Sequence, residues 1–236
     1  MDNKRNILFL DFDGVLNSIR SLFKKYADHH NFKWTDNDFS LKWYGKGHPE
    51  HCAPGFIAKL DKAVDAEKRK PGYKYPNLSM HNWPPEEDAI KYLNQIVEEN
   101  DADVVICSTW RNHFTIEELQ EILNGWGAKC KVIGVTTNLR SDVMTRGREI
   151  LNWVMENRNS IKGICILDDD AEYDINGIFE KWAVQGISGN KHGLRKPHVI
   201  LAKKCFDTPI RPLYDFDKWV SETMLKEARE NDAQLD

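Results

Sequence analysis

Three short stretches of this chain concentrate residues able to do chemistry. Asp11 and Asp13 leave the apolar segment Ile7–Leu10 and run straight into Gly14. Ser108, Thr109, Trp110 and Arg111 follow "VVIC", and Asp168, Asp169 and Asp170 follow "ICIL". Clustered carboxylates repel one another and need a compensating charge. A hard divalent cation supplies it, and Mg2+ suits one or two carboxylates together with water and phosphate oxygens. Arg111, Arg146 or Arg148 adds positive charge for an anionic substrate. Carboxylates, a hydroxyl and cations directed at one place suit a phosphate ester held beside Mg2+.

The elements that must position these groups are legible around them. Ile7–Leu10, Val104–Cys107, Lys131–Val135 and Ile164–Leu167 are short, apolar and rich in β-branched residues, as strands buried on both faces are. "HVILA" at His198–Ala202 reads as a fifth strand. Between them, "PPEEDAIKYLNQIVEEN" opens with proline and acids and places Ile90, Leu93 and Val97 on one helical face. Thr115 with Glu118 forms a capping box, and that helix is expected to stop at Gly125. "TRGREILNWVMEN" is a third helix with Ile150 and Val154 on one face. Alternating buried strands and amphipathic helices predict an α/β fold: a central parallel sheet in a Rossmann-like three-layer sandwich. Such sheets bind ligands at the carboxyl ends of their strands, where all three stretches lie.

Residues 18–82 break the alternation. They are aromatic and more basic than acidic, with Lys68, Arg69 and Lys70 the densest positive cluster. A structureless loop of this length is unusual in a compact domain, so the segment reads as an inserted cap or lid. The expected organisation is a core of residues 1–17 and 83–220, the insertion 18–82, and a charged tail 221–236. "HPEHC" offers His48, His51 and Cys52, but no second ligand pair follows at zinc-finger spacing.

The formal net charge of −4 gives no general nucleic-acid or membrane signal. No apolar run reaches the roughly 20 residues needed to span a bilayer. Five scattered cysteines without a C-x-x-C fit reduced thiols in a cytoplasm-like compartment.

In their order along the chain, "LDFDGVLN", "STWR", "TRGREILNW" and "ILDDD" resemble the haloacid-dehalogenase-like (HAD) phosphohydrolases. The resemblance is narrower toward the HAD phosphatase domains of RNA-repair proteins and polynucleotide 3′-phosphatases. It implies that Asp11 is the nucleophile, forming an aspartyl-phosphate, and that Asp13 is the acid and base. It implies Ser108 on the phosphoryl oxygens and Arg146 in the place usually held by lysine, with Arg148 its rival. Mg2+ would be held by Asp11, Asp169 and the Asp13 carbonyl, with Asp168 as ligand or water-bridged. Gly14 would let the chain turn past the phosphate, and Thr109 and Arg111 would lie at the substrate. Trp110 fits core packing or a platform for a base.

The implied activity is a Mg2+-dependent phosphomonoesterase acting on a phosphorylated nucleic-acid end, a 3′-phosphate. A phosphatase for nucleotides or other small metabolites is the alternative, and an inert nucleic-acid-binding module a third reading. No G-x-x-x-x-G-K-[ST] loop is present, so no P-loop kinase half is expected in this chain.

Overall fold

The computed structural model describes residues 4–18, 20, 21, 24, 25, 28, 84–137, 146–171, 175–188 and 192–210. Most of the 18–82 segment, with Lys68, Arg69, Lys70, His48, His51 and Cys52, lies outside the described residues, as do Asp174 and the tail.

Four strands form one parallel sheet in the order β3-β2-β1-β4: β1 Arg5–Leu10, β2 Ala102–Ile106, β3 Val132–Val135 and β4 Ile161–Leu167. β1 registers Leu10 against Ile106 on one side and Leu167 on the other. Helices cover both faces: α1 Glu87–Asn100, α2 Ile116–Gly125, α3 Arg146–Asn157, the short α4 Asn176–Phe179, and α5 Lys196–Asp207.

Side-chain alternation along the strands builds two cores. Leu8, Leu10, Val104, Ile106, Cys165 and Leu167 face α1, α2 and α5 through Leu93, Ile96, Leu119, Leu123, Val199 and Ala202. Ile7, Phe9, Val105, Ile164 and Ile166 face α3 and α4 through Ile150, Leu151, Val154 and Phe179. The three-layer sandwich expected from the sequence is present. Each fully buried Leu, Ile or Phe in these layers contributes about 1.5–3 kcal/mol relative to an exposed one.

Thr115 caps α2 as expected: its Oγ1 accepts from Glu118 N and the Glu118 carboxylate accepts from Thr115 N. α2 ends at Gly125, but the left-handed glycine beyond it is Gly127, at φ 86°.

The expected strand His198–Ala202 is corrected to helix α5. Val199, Ala202, Cys205 and Phe206 are buried and Ile200 is 63% exposed, a helical period that the five-residue window "HVILA" is too short to show. Pro197 in the first turn marks the helix start. α5 packs on β4 and α1, where its apolar stripe closes one face of the sheet.

Candidate active site

The strand order reverses beside β1. The chain steps from β1 to β2 to β3 on one side, then returns to place β4 on the other. The crevice at the carboxyl ends of β1 and β4 is the position where open α/β sheets hold ligands. Asp11 leaves β1 there and Asp168 leaves β4.

Backbone bonds fix the loop after β1. Asp11 N donates to Leu167 O at 2.9 Å, extending the β1–β4 ladder by one residue. Phe12 O then accepts from Val15, Leu16 and Asn17, turning the chain back. Gly14 sits in this turn at φ 79°, which L side chains rarely adopt. A Cβ there would meet Asp169 Oδ2 at 2.1 Å. Gly14 therefore serves the turn and the space for the Asp169 carboxylate together.

Asp13 is gripped from two sides. Its Oδ1 accepts from Asn17 Nδ2 and its Oδ2 from Trp110 Nε1, both at 2.9 Å. Asn17 Oδ1 in turn accepts from Gly14 N at 3.1 Å. Burial raises the pKa of Asp13 most; the Asn17 and Trp110 bonds oppose it, Asp11 adds to it, and Arg146 opposes it, with a net rise. Trp110 is fully buried against Phe12, Phe114 and Trp126, so core packing is its role here and a platform for a base is excluded.

Cys107 N continues the ladder onto Leu10 O at 3.0 Å, which places Cys107 level with Asp11 and Ser108 one residue beyond it. Ser108 is fully buried, and its Oγ accepts from Trp110 N to cap the 3-10 turn Thr109–Asn112. Thr109 and His113 are exposed. The Arg111 side chain is 5% exposed and turned inward. Its Nη1 donates to Cys107 O at 2.5 Å and Ser108 O at 2.7 Å, and its Nη2 to the Glu149 carboxylate. Cys107 itself is held far above its usual pKa, by burial first and then by the Asp168 charge, so it is an inert thiol.

Arg146 opens α3 and bridges the two strand-end carboxylates. Its Nη1 donates to Asp11 Oδ2 at 2.7 Å and to Asp168 Oδ2 at 2.5 Å. Burial opposes its charge, but the Asp11 and Asp168 carboxylates outweigh that and raise its pKa. This attraction holds a cation at a helix N-terminus, where the helix dipole disfavours it. Arg148 lies half-buried in the same turn of α3.

Asp11, Asp168 and Asp169 each bring a carboxylate oxygen within 4.8 Å of the others. Asp169 stands exposed at the mouth of this cluster; desolvation, then the Asp11, Asp168 and Asp170 charges, push its pKa up to about 7. Burial raises that of Asp168 most, and Asp11 adds to it. Asp170 N donates to Asp168 Oδ1 at 2.9 Å, so Asp170 contributes its backbone to the cluster. An all-oxygen donor set whose carboxylates suffer mutual repulsion fits a hard divalent cation, Mg2+ in particular.

The structure thus brings together Asp11, Asp13, Gly14, Ser108, Arg146, Asp168 and Asp169, and points Arg111 at protein atoms. Sequence reasoning missed Asn17, which lies inside the "LDFDGVLN" stretch, and Glu149, for which no local pattern existed.

A parallel sheet with aspartates paired across the reversal of its strand order is the architecture of the haloacid-dehalogenase-like class. Within that class, the chain belongs to the family described as the HAD domain in Swiss Army Knife RNA repair proteins, whose family model matches residues 7–199. No curated protein and no solved structure gives a significant match to the chain. No helix among the described residues is long and apolar enough to cross a membrane.

Proposed function

We propose that this chain is a phosphomonoesterase that removes a 3′-phosphate from a nucleic-acid end through an aspartyl-phosphate at Asp11. The observation that carries this reading is the Arg146 bridge between Asp11 and Asp168, next to Asp169 and one strand away from Ser108. A cation and a hydroxyl beside a fixed carboxylate suit a transferring phosphoryl group. The nucleic-acid end is supported by membership of a family found in RNA repair proteins.

In the first half-reaction the Asp11 carboxylate attacks phosphorus, and the ester oxygen leaves with a proton from Asp13. Burial favours the protonated form of Asp13 that this step needs. In the second half, Asp13 takes a proton from water as that water attacks the aspartyl-phosphate. Free phosphate leaves and both aspartates return to their starting states. Arg146 offsets charge on the nucleophile and on the non-bridging oxygens, and Ser108 supplies a hydroxyl to those oxygens. Asp11 and Asp169, with Asp168 and the Asp13 carbonyl, would hold Mg2+, which when bound supplies positive charge to the phosphoryl oxygens.

The test is phosphate release from a 3′-phosphorylated oligonucleotide, a 5′-phosphorylated one and a 3′-mononucleotide, with Mg2+ and with EDTA. Preference for the 3′-phosphorylated oligonucleotide is expected. Preference for the mononucleotide would transfer the function to nucleotide metabolism. Tight oligonucleotide binding without hydrolysis of any ester would make the chain a binding module.

A further inference from the structure

We infer that the buried Arg111–Glu149 pair is a positioning device: it ties the turn after β2 to helix α3 so that Arg146 meets Asp11 and Asp168. Its kinetic consequences rest on the phosphatase reading above; its geometry does not.

Both partners are sealed from solvent, with side chains 5% and 7% exposed. Among the described residues the Arg111 guanidinium donates to two main-chain carbonyls and to Glu149, so it braces protein elements. Nη1 takes the carbonyls of Cys107 and Ser108, the two residues that carry the chain out of β2. Nη2 takes Glu149, which lies three residues after Arg146 and so on the same side of α3. One guanidinium therefore joins the peptides flanking Ser108 to the first turn of the helix that delivers Arg146.

Energetics argue that this link sets geometry. Desolvating an ion pair costs more than it returns unless its geometry is excellent, and an apolar pair would fill the same space without loss. Arg111 Nε is buried with no hydrogen-bond partner among the described residues, a further cost. Ile150, Leu151 and Val154 already hold α3 on the sheet. Those contacts are non-directional. They set the distance of α3 from the sheet, while the fork of Arg111 sets its position along its own axis. A small axial shift of α3 would take Arg146 out of hydrogen-bond range of one of its two carboxylates. Lysine lacks the fork and could not make both sets of bonds.

The test is a mutant cycle on a small phosphate ester, with Arg111→Met, Arg111→Lys and Arg146→Ala singly and combined. Arg111→Met is expected to lower kcat on the order of 10- to 100-fold, with a smaller change in KM. Arg111→Lys should recover little of it. In the Arg146→Ala background the Arg111→Met change should cost within about threefold, because the residue it positions is gone. Equal losses in both backgrounds would overturn the inference. Should Arg111→Met fail to fold, Glu149→Gln, which keeps shape and removes the charge, enters the same cycle with the same expected loss of effect beside Arg146→Ala. If the wild-type chain hydrolyses no ester, the functional reading fails, and the geometry is decided by a crystal structure of Arg111→Met or Glu149→Gln. Displacement of Arg146 from Asp11 upholds the positioning role there, and a retained 2.7 Å contact refutes it.

Discussion

Trp110 Nε1 donates to Asp13 Oδ2 at 2.9 Å, from an indole with no exposed surface. A side chain two residues beyond Ser108 thus holds the carboxyl group proposed as acid and base, across 97 residues of sequence. With Asn17 on the other oxygen, the carboxyl group of Asp13 is fixed in direction before any substrate arrives. Fixing a proton donor in advance removes a reorganisation cost from the reaction.

Trp110→Phe keeps a large ring against Phe12 and Trp126 and deletes that one donor. The variant should fold with a loss of about 1–3 kcal/mol. Its kcat should fall on the order of tenfold while KM for a small ester stays near wild type, because the ring touches Asp13 and not the substrate. Steady-state kinetics with a urea titration reads both. A KM effect with kcat intact would mean that the indole serves binding.

Asp11→Asn should reduce turnover on the order of a thousandfold or more, since an amide is a poor nucleophile. Arg146 keeps Asp168 as a partner, so the fold should survive. Single-turnover reaction with a 32P-labelled ester, quenched in acid, should leave label on wild-type protein and none on the variant. Label on the variant would move the nucleophile elsewhere.

The carboxylate cluster makes stability and activity respond in opposite directions. Asp169 faces the charges of Asp11, Asp168 and Asp170. In EDTA at neutral pH, Asp169→Asn should therefore raise Tm slightly by removing one crowded charge. Mg2+ should raise Tm of the wild type and leave that of the variant nearly unchanged, while the variant loses activity. Thermal melts with and without Mg2+ decide it. An equal Mg2+ shift in both proteins would remove Asp169 from the metal site.

The sheet was legible because β1, β2 and β4 are mostly buried on both faces, which forces short apolar, β-branched runs, and edge strand β3 shares that composition although Ile133 is exposed. The strand-end aspartates were legible for a related reason: charge directly after such a run stands out. His198–Ala202 misled because strand and buried helix share one composition over five residues, and only Cys205 and Phe206 complete the helical period. Arg111 was read toward the substrate because its place after β2 is visible in sequence and its partner is not. Glu149 lies 38 residues away and meets it only through the packing of α3. Trp110 was undecidable for the same reason, since burial on α2's side of the sheet settles it and sequence does not report burial of a single indole.

His198 carries a pH dependence that can be separated from the site. It is buried in the first turn of α5, where its Nδ1 accepts from Arg195 N at 2.9 Å, so the ring must be neutral to cap the helix. Burial lowers its pKa from 6.5, a backbone bond with Gly186 partly opposes this, and the Arg195 charge lowers it further. In the unfolded chain the ring takes up a proton near its ordinary value. The stabilisation by neutral His198 is therefore fully present above that unfolded pKa and is lost as pH falls through it toward the lowered folded value. Wild-type Tm should fall across that window. His198→Gln keeps an acceptor near Arg195 N but cannot titrate, so its Tm should fall less steeply over the same interval. Carboxylates titrate alike in both proteins, and the difference between the two Tm curves isolates the histidine. Parallel curves would show that His198 titrates as it does in the unfolded chain and that the cap does not depend on the neutral ring.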